Sequence, residues 1–343
     1  MSIKKKTGIL LVNLGTPDDP SRWAVYRYLK EFLADPRVID VTFVRKILIP
    51  LIIIFRSKES SEGYKDLWME EGSPLKVYGN RLTDGVRKIL GTEDYQVELA
   101  MRYQNPSIES VIKKLMDAKV TELVVLPLFP HYASASTGSV QEEVMRVLAT
   151  YWTMPKLTMI DHFYDYEPMI DLFVQRGRDY DYRKYDHILF SYHGLPERHM
   201  AKTDDTCSHC LTPGCCDTLS EKNQMCYTAH CAATTRAIVA KLELTPDQYT
   251  MCYQSRLGRD PWVKPYTSDV IEEQAELGRK NILVFCPAFV CDCLETTIEI
   301  SDEYQELFEE KGGEKLQLVE GLNDDPRWIK AVADLVRGVR LGM

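Results

Sequence analysis

For its first 206 residues the chain has no cysteine; all ten lie between Cys207 and Cys293. In a reducing compartment such clustered thiols point to metal binding rather than to a disulfide framework. Cationic residues are in deficit as well, 42 Lys and Arg against 51 Asp and Glu, for a net charge of −9. That balance excludes nucleic acid as the main partner, because phosphate binding needs a clustered basic surplus. Long apolar runs are missing too. The longest, Ile47 to Phe55, is nine residues interrupted by Pro50, far short of the ~20 a membrane-spanning helix requires. The basic start, Lys4-Lys5-Lys6, runs straight into a strand, Gly8 to Leu14, with no secretory core or cleavage site. The expectation is a cytoplasmic protein.

What is present fits a sizeable globular chain: 343 residues, 45% hydrophobic, enough for two domains of ~150 residues. Apolar strand-like runs occur at Gly8 to Leu14, Val97 to Arg102, Glu122 to Phe129, His187 to Tyr192, Tyr249 to Gln254 and Asn281 to Cys286. Helix-like stretches alternate with them at Arg22 to Leu33, Leu75 to Leu90, Ile108 to Ala118, Gly138 to Thr150, Ala232 to Leu242, Ser268 to Gly278 and Cys293 to Glu310. Alternation of this kind predicts an α/β fold with mainly parallel sheets flanked by helices. A short echo, a strand running into Leu14-Gly15-Thr16-Pro17 and another into His193-Gly194-Leu195-Pro196, suggests two similar halves. The first would span 1–170 and the second 171–325, with a last helix, 326–340, packing back on the first.

Two stretches carry chemistry. His193 stands just past the apolar run His187-Ile188-Leu189-Phe190. That is the carboxyl edge where parallel sheets bind ligands, and an imidazole there can take a proton or hold a metal near neutral pH. Glu295, Glu299 and Glu303 recur every four residues, a spacing that lines carboxylates along one helix face at ~6 Å per step. A solvated acidic face explains the outer part of that row; Glu295, opening the helix beside an apolar run, is read as functional. The Ile47 to Phe55 run, with Arg45 and Lys46 before it and Arg56 and Lys58 after it, reads either as buried core or as an apolar lip making peripheral membrane contact.

Gly8 to Pro17, Trp68 to Leu75, Met101-Arg102-Tyr103, Leu126 to Tyr132, Thr137-Gly138-Ser139, Ser191 to Pro196, Gln254 to Gly258 with Trp262 and Pro265, and Asp292 to Thr296 follow one another in an order that resembles ferrochelatases. The resemblance implies two Rossmann-like domains, each around a four-stranded sheet, with the porphyrin cleft between them. It implies insertion of Fe(II) into protoporphyrin IX, the terminal step of haem synthesis. His193 and Glu295 would be the catalytic and metal-handling pair, with Asp292, Glu299 and Glu303 along a proton or metal path. Leu14, Arg102, Tyr132 and Trp262 would meet the porphyrin, Arg102 at a propionate. Two positions depart from the family pattern: Cys293 stands where many relatives have a second histidine, and His131 where many have glutamine. The alternatives are a coproporphyrin or other tetrapyrrole chelatase and, outside enzymes, a porphyrin-binding iron–sulfur sensor. A cobalt chelatase would be expected to offer more histidine near the site than this chain does.

Within 200–231 the cysteines are spaced C-x2-C-x4-C-C-x9-C-x4-C, six thiols in 25 residues around Pro213 and Gly214. Such a loop is expected to fold on a metal, and structural zinc and an iron–sulfur cluster both take about four thiolates. Some ferrochelatases carry a [2Fe–2S] cluster. On that resemblance Cys207, Cys210 and Cys215 are read as ligands, with Cys216 or Cys226 as the fourth. Cys252, Cys286 and Cys291 are read as core residues.

Overall fold

The structure is a computed structural model that describes residues 6–256, 258 and 260–341. Lys4 and Lys5 of the basic start, and Leu257 of the Gln254 to Gly258 motif, lie outside the described residues. The chain opens with the almost wholly buried β1 (Thr7–Gly15). It continues through α1 (Arg22–Ala34), α2 (Ile49–Leu67), α3 (Pro74–Leu90), β2 (Tyr95–Tyr103), α4 (Ile108–Asp117), β3 (Glu122–Pro127), α5 (Ser139–Leu148) and β4 (Lys156–Met159). Next come α6 (Glu167–Asp179), β5 (His187–His193), α7 (Glu197–Lys202), α8 (Tyr227–Leu242), β6 (Tyr249–Gln254), α9 (Thr267–Glu276) and β7 (Asn281–Phe285). After α10 (Leu294–Thr297), α11 (Tyr304–Glu310) and β8 (Lys315–Leu318), the chain ends in α12 (Pro326–Leu341).

These elements form two compact units. One comprises Met1–Phe129, Ser134–His162 and Asn323–Met343, so it includes α12; the other comprises Pro130–Ala133 and Phe163–Leu322. Residue 170, the boundary expected from the sequence, falls inside α6. Each unit holds a four-stranded sheet of one topology, β2-β1-β3-β4 in the first and β6-β5-β7-β8 in the second. Every strand pair is parallel. Parallel neighbours must be joined by crossovers, which lay helices on the sheet faces. In the first unit α4 and α5 cover Leu10, Val12, Ala100, Leu123 and Val125. In the second, α9 and α11 supply Val270, Ile271 and Phe308 to a core with Leu189, Ile282 and Val284. Cys252 and Cys286 are buried in that core, and Cys291 is buried as well, the packing role read from the sequence.

Three segments differ from the sequence expectation. β4 and β8 are four-residue, half-exposed strands, too short to announce themselves as apolar runs. Ile47 to Phe55 winds through a π-helical turn, Val44–Leu48, into α2, where Pro50 sits in the first turn at no cost in hydrogen bonds. Only Ile49 and Ile53 of that run are buried; Ile47, Leu51, Ile54 and Phe55 are exposed, Phe55 at 78%, so the core reading applies to one stripe only. Finally, Cys293 to Glu310 is not one helix. α10 gives way to a π turn, Glu299–Glu303, before α11, and the uniform α-helical carboxylate row expected from the spacing does not form.

One titrating group sits in the second sheet itself. His187, buried at the start of β5, lies 2.9 Å from the Thr250 hydroxyl. Burial, helped by Arg279, pushes its pKa down to about 4, against an ordinary value near 6.5. Below pH 6.5 the unfolded chain therefore binds a proton that the folded chain refuses. The stability tied to this residue is complete above about pH 6.5 and declines as pH falls towards 4. Urea midpoints measured between pH 7.5 and 4.5 should fall, and His187→Gln should flatten that slope; an unchanged slope would assign the loss to other groups.

Candidate active site

In a sheet ordered 6-5-7-8, the crossovers from β5 leave in opposite directions, so the switch point lies between β5 and β7. Ligands of open parallel sheets bind outside the carboxyl ends of strands at that point. His193 is the last residue of β5, and Glu295 opens α10 beyond β7. Both residues singled out from the sequence therefore flank the switch point of one unit.

The backbone at His193 is tightly constrained. The Gly194 amide donates to the Gln254 carbonyl at 2.7 Å, and the Tyr227 hydroxyl donates to the His193 carbonyl at 2.9 Å. Any Cβ at Gly194 would stand 2.7 Å from that Gln254 carbonyl oxygen, which is why glycine follows the histidine. The ring is half-buried, and its Nδ1 lies 2.6 Å from the Gly194 carbonyl oxygen. A carbonyl only accepts, so Nδ1 carries the proton and Nε2 keeps its lone pair. The result is a histidine prepared to receive a proton or a metal ion.

Gln254 ties the two sides together, a role that its place in a recognised motif did not reveal. Its backbone pairs with His193 in the β5–β6 register. Its side-chain Nε2 donates to the Glu295 carbonyl at 2.6 Å and to Glu299 Oε2 at 3.1 Å, while its Oε1 accepts from Ser191 Oγ at 2.7 Å. Glu299 also accepts from the Ser255 amide and hydroxyl and from Tyr304, so it is an anchored acceptor at the end of β6. Glu303 is exposed. Asp292 is engaged by the Gly321 amide and the Thr296 hydroxyl, which fixes the loop entering α10. Beside Glu295 stands the Cys293 thiol, raised by burial and then by its contact with that carboxylate; it therefore stays protonated and donates.

The remaining predicted residues are distributed as follows. Trp262 is buried, in a β-bridge with Pro196, the third residue after His193. Tyr132 is half-buried, its amide donating to His230 Nδ1 at 3.2 Å. His131 is fully buried, hydrogen-bonded to Thr234 at 2.9 Å, and burial keeps it neutral, so it packs rather than titrates. In the first unit, Leu14 is half-buried, one residue before the end of β1. Arg102 is committed there: its Nε donates to Ser139 Oγ at 2.7 Å and its Nη2 to Asp35 at 2.9 Å. Asp35 is buried and pairs with this guanidinium.

The cysteine insert is knitted by two buried polar side chains that spacing alone could not reveal. The Asp204 carboxylate accepts from the Thr206, His209 and Cys210 amides at 3.0, 2.8 and 2.8 Å. Asn223 accepts from the Ser220 amide at 2.6 Å and donates to the Cys215 and Thr218 carbonyls. Held this way, Cys215 and Cys216 Sγ lie 3.6 Å apart and Cys210 and Cys226 Sγ 3.9 Å apart. The Cys216 thiol, with Thr228, the Ala229 amide and Cys210 adding their donors, draws Cys226 down to about 5, whereas burial and the Cys226 charge push Cys210 up to about 12. Cys207 is exposed and stands outside these contacts, whereas Cys226 lies within them. Four converging thiols fit a group that takes four thiolates. Among the described residues, no three or more His, Cys, Asp or Glu side chains stand as a ready-made site for a single ion.

The Ferrochelatase family model matches residues 6–339. The chain belongs to the ferrochelatase family. It is 44% identical over 335 residues to a ferrochelatase of Coxiella burnetii, covering 97% of this chain and 93% of that one. It is 42% identical to one of Legionella pneumophila, covering 96% and 98%, and 43% identical to one of Pseudomonas fluorescens, covering 98% of both chains. The fold also resembles the sirohydrochlorin chelatase SirB from Bacillus subtilis subspecies spizizenii in complex with cobalt, with a TM-score of 0.54 at 12% identity over 97% of this chain and 94% of that one. SirB from Bacillus subtilis with Fe3+ gives a TM-score of 0.51 at 13% identity, covering 97% and 95%. As a ferrochelatase-family chain it is an enzyme that inserts a metal ion into a porphyrin.

Proposed function

We propose that the chain inserts Fe(II) into protoporphyrin IX, with His193 and Glu295 performing the exchange. The observation that supports this most is their placement beyond the ends of the two strands flanking one switch point, His193 closing β5 and Glu295 in α10 after β7, with His193 Nε2 left open by the Nδ1 contact to Gly194. The reaction replaces two pyrrole N–H protons by one divalent ion, so charge balances only if two protons leave as the ion enters. His193 accepts the two pyrrole protons in turn at Nε2, passing the first to solvent before it takes the second, and the ring cannot turn without breaking its Nδ1 hydrogen bond. Glu295 presents the ferrous ion as an oxygen donor and takes over its lost water contacts. A flat macrocycle hides its nitrogen lone pairs from an ion approaching its face, and closing an apolar site on the ring would favour the bent form.

Cys210, Cys215, Cys216 and Cys226 would hold a [2Fe–2S] cluster, with zinc as the second candidate. Such a cluster supplies cross-linking of its loop and a one-electron redox couple, neither of which metal insertion consumes. Phe43, Ile47, Leu51, Ile54 and Phe55, exposed among the cations Arg45, Lys46, Arg56 and Lys58, would rest on a membrane surface where a porphyrin partitions. Among the described residues no helix is long and apolar enough to cross a membrane.

One anaerobic assay tests these readings together. Protoporphyrin and coproporphyrin are offered with Fe(II) or Zn(II), in detergent and in anionic vesicles, and the visible bands are followed. Four bands should collapse to two with protoporphyrin in preference to coproporphyrin, and Phe55→Asp should slow the vesicle reaction alone. Faster turnover of coproporphyrin would reassign the substrate, and equal slowing in detergent would remove the membrane role.

A further inference from the structure

The first cysteine of the insert, Cys207, comes 14 positions after His193, yet one side chain joins the insert to the histidine. Cys226 is the N-cap of α8, its amide donating to the Asn223 carbonyl and its own carbonyl accepting from His230. Tyr227, the first residue of that helix, is buried, and its hydroxyl donates to the His193 carbonyl at 2.9 Å. The hydroxyl of Thr228, the next residue, lies 3.3 and 3.1 Å from the Cys216 and Cys226 sulfurs. Arg236, two turns along α8, donates to the Cys216 carbonyl at 2.8 Å. The first turn of α8 is thus clamped to the thiol cluster on one side and to His193 on the other.

We infer that Tyr227 is a positioning residue for His193, and that the cysteine cluster acts on metal insertion through it by fixing Cys226 and hence the start of α8. This rests on the reading above, in which His193 is catalytic and the four thiols bind one group. The cluster needs no electron transfer for such a role. It serves as a brace: four sulfurs on one group hold the helix start, the helix start holds the phenol, and the phenol holds the carbonyl of the residue whose ring must meet a pyrrole nitrogen. A misplacement of that ring by a fraction of an ångström is enough to slow the chemistry while leaving porphyrin affinity untouched.

The experiment uses the full chain as isolated with its metal. Wild-type turnover and the iron, sulfide and zinc contents are measured first, so that failure of the chelatase reading or of the cluster reading is seen separately. Tyr227→Phe keeps the ring and loses only the hydroxyl. It should lower kcat about tenfold, the scale of one lost hydrogen bond, with porphyrin KM, metal content, the visible spectrum of the protein and Tm unchanged. Cys226→Ser should lose the bound metal and the same kcat, and the double variant should be no slower than Cys226→Ser alone, because both act at one contact. Unchanged kcat in Tyr227→Phe overturns the proposal, as does a parallel fall in Tm and rise in KM, which would mark Tyr227 as packing only. Multiplicative losses in the double variant would overturn the link from the cluster to the histidine.

Discussion

His193→Ala should abolish porphyrin metallation while the protein still folds and still binds porphyrin. The expected loss in kcat is at least about a thousandfold, within the range for removing a general base. The argument for a clean loss is structural. The contacts that hold the backbone here are the Gly194 amide to Gln254 and the Tyr227 hydroxyl to the His193 carbonyl, and alanine keeps both. What disappears is the imidazole whose Nε2 was left open. Porphyrin fluorescence quenching checks binding, and stopped-flow absorbance checks insertion. Retained turnover within tenfold of wild type would move the proton acceptor to another residue of the second unit, with Glu295 the next to examine.

The largest effect on stability is expected far from that ring, at Gly15. This residue ends β1 with φ of +124°, and a Cβ there would sit 2.1 Å from the Tyr103 carbonyl oxygen on β2. The neighbour is backbone, in register with Gly15 itself, so it cannot swing aside as a side chain would. Gly15→Ala must either break the top of the β1–β2 ladder or force the strand end outwards. Strain in that region of φ plus a backbone clash should cost about 3 kcal/mol or more, lowering Tm by roughly 10 °C. Calorimetry settles it: a drop of less than about 2 °C would mean the strand end relaxes freely. Gly91 makes the control. It too has positive φ, but no atom lies within 4 Å of its added Cβ, so only the smaller conformational cost should appear.

Much of this molecule can be read from its sequence, and the parts that cannot share a cause. The long strands β1, β3 and β5 are apolar runs bounded by breakers, and burial confirms why. β4 and β8 lie at sheet edges with four residues each and mixed exposure, so neither periodicity nor length separates them from loop. Spacing placed Glu295, Glu299 and Glu303 on one α-helical face, but Glu299 is drawn into the donors of Ser255 and Tyr304, and the backbone accommodates it with a π turn. The order of motifs and the strand-end rule were enough to single out His193 and Glu295. Tyr227 and Gln254 escaped because their importance lies entirely in a partner brought near by tertiary structure; nothing in Cys226-Tyr227-Thr228 announces a hydrogen bond to a residue 34 positions earlier. Arg102 likewise has a partner its motif did not announce, the buried Asp35.

The insert satisfies its own turns from within, through Asp204 and Asn223, and it departs after α7 and rejoins at α8 without adding a strand to the sheet. In evolutionary terms it is a cassette. A lineage can gain or shed it in one event, because β5 and β6 pair directly with each other and not through it. The constraint then falls on the splice: a descendant that drops the loop must find another donor for the carbonyl that Tyr227 now serves, and compensating change should gather at the start of α8 before it appears anywhere in the sheet.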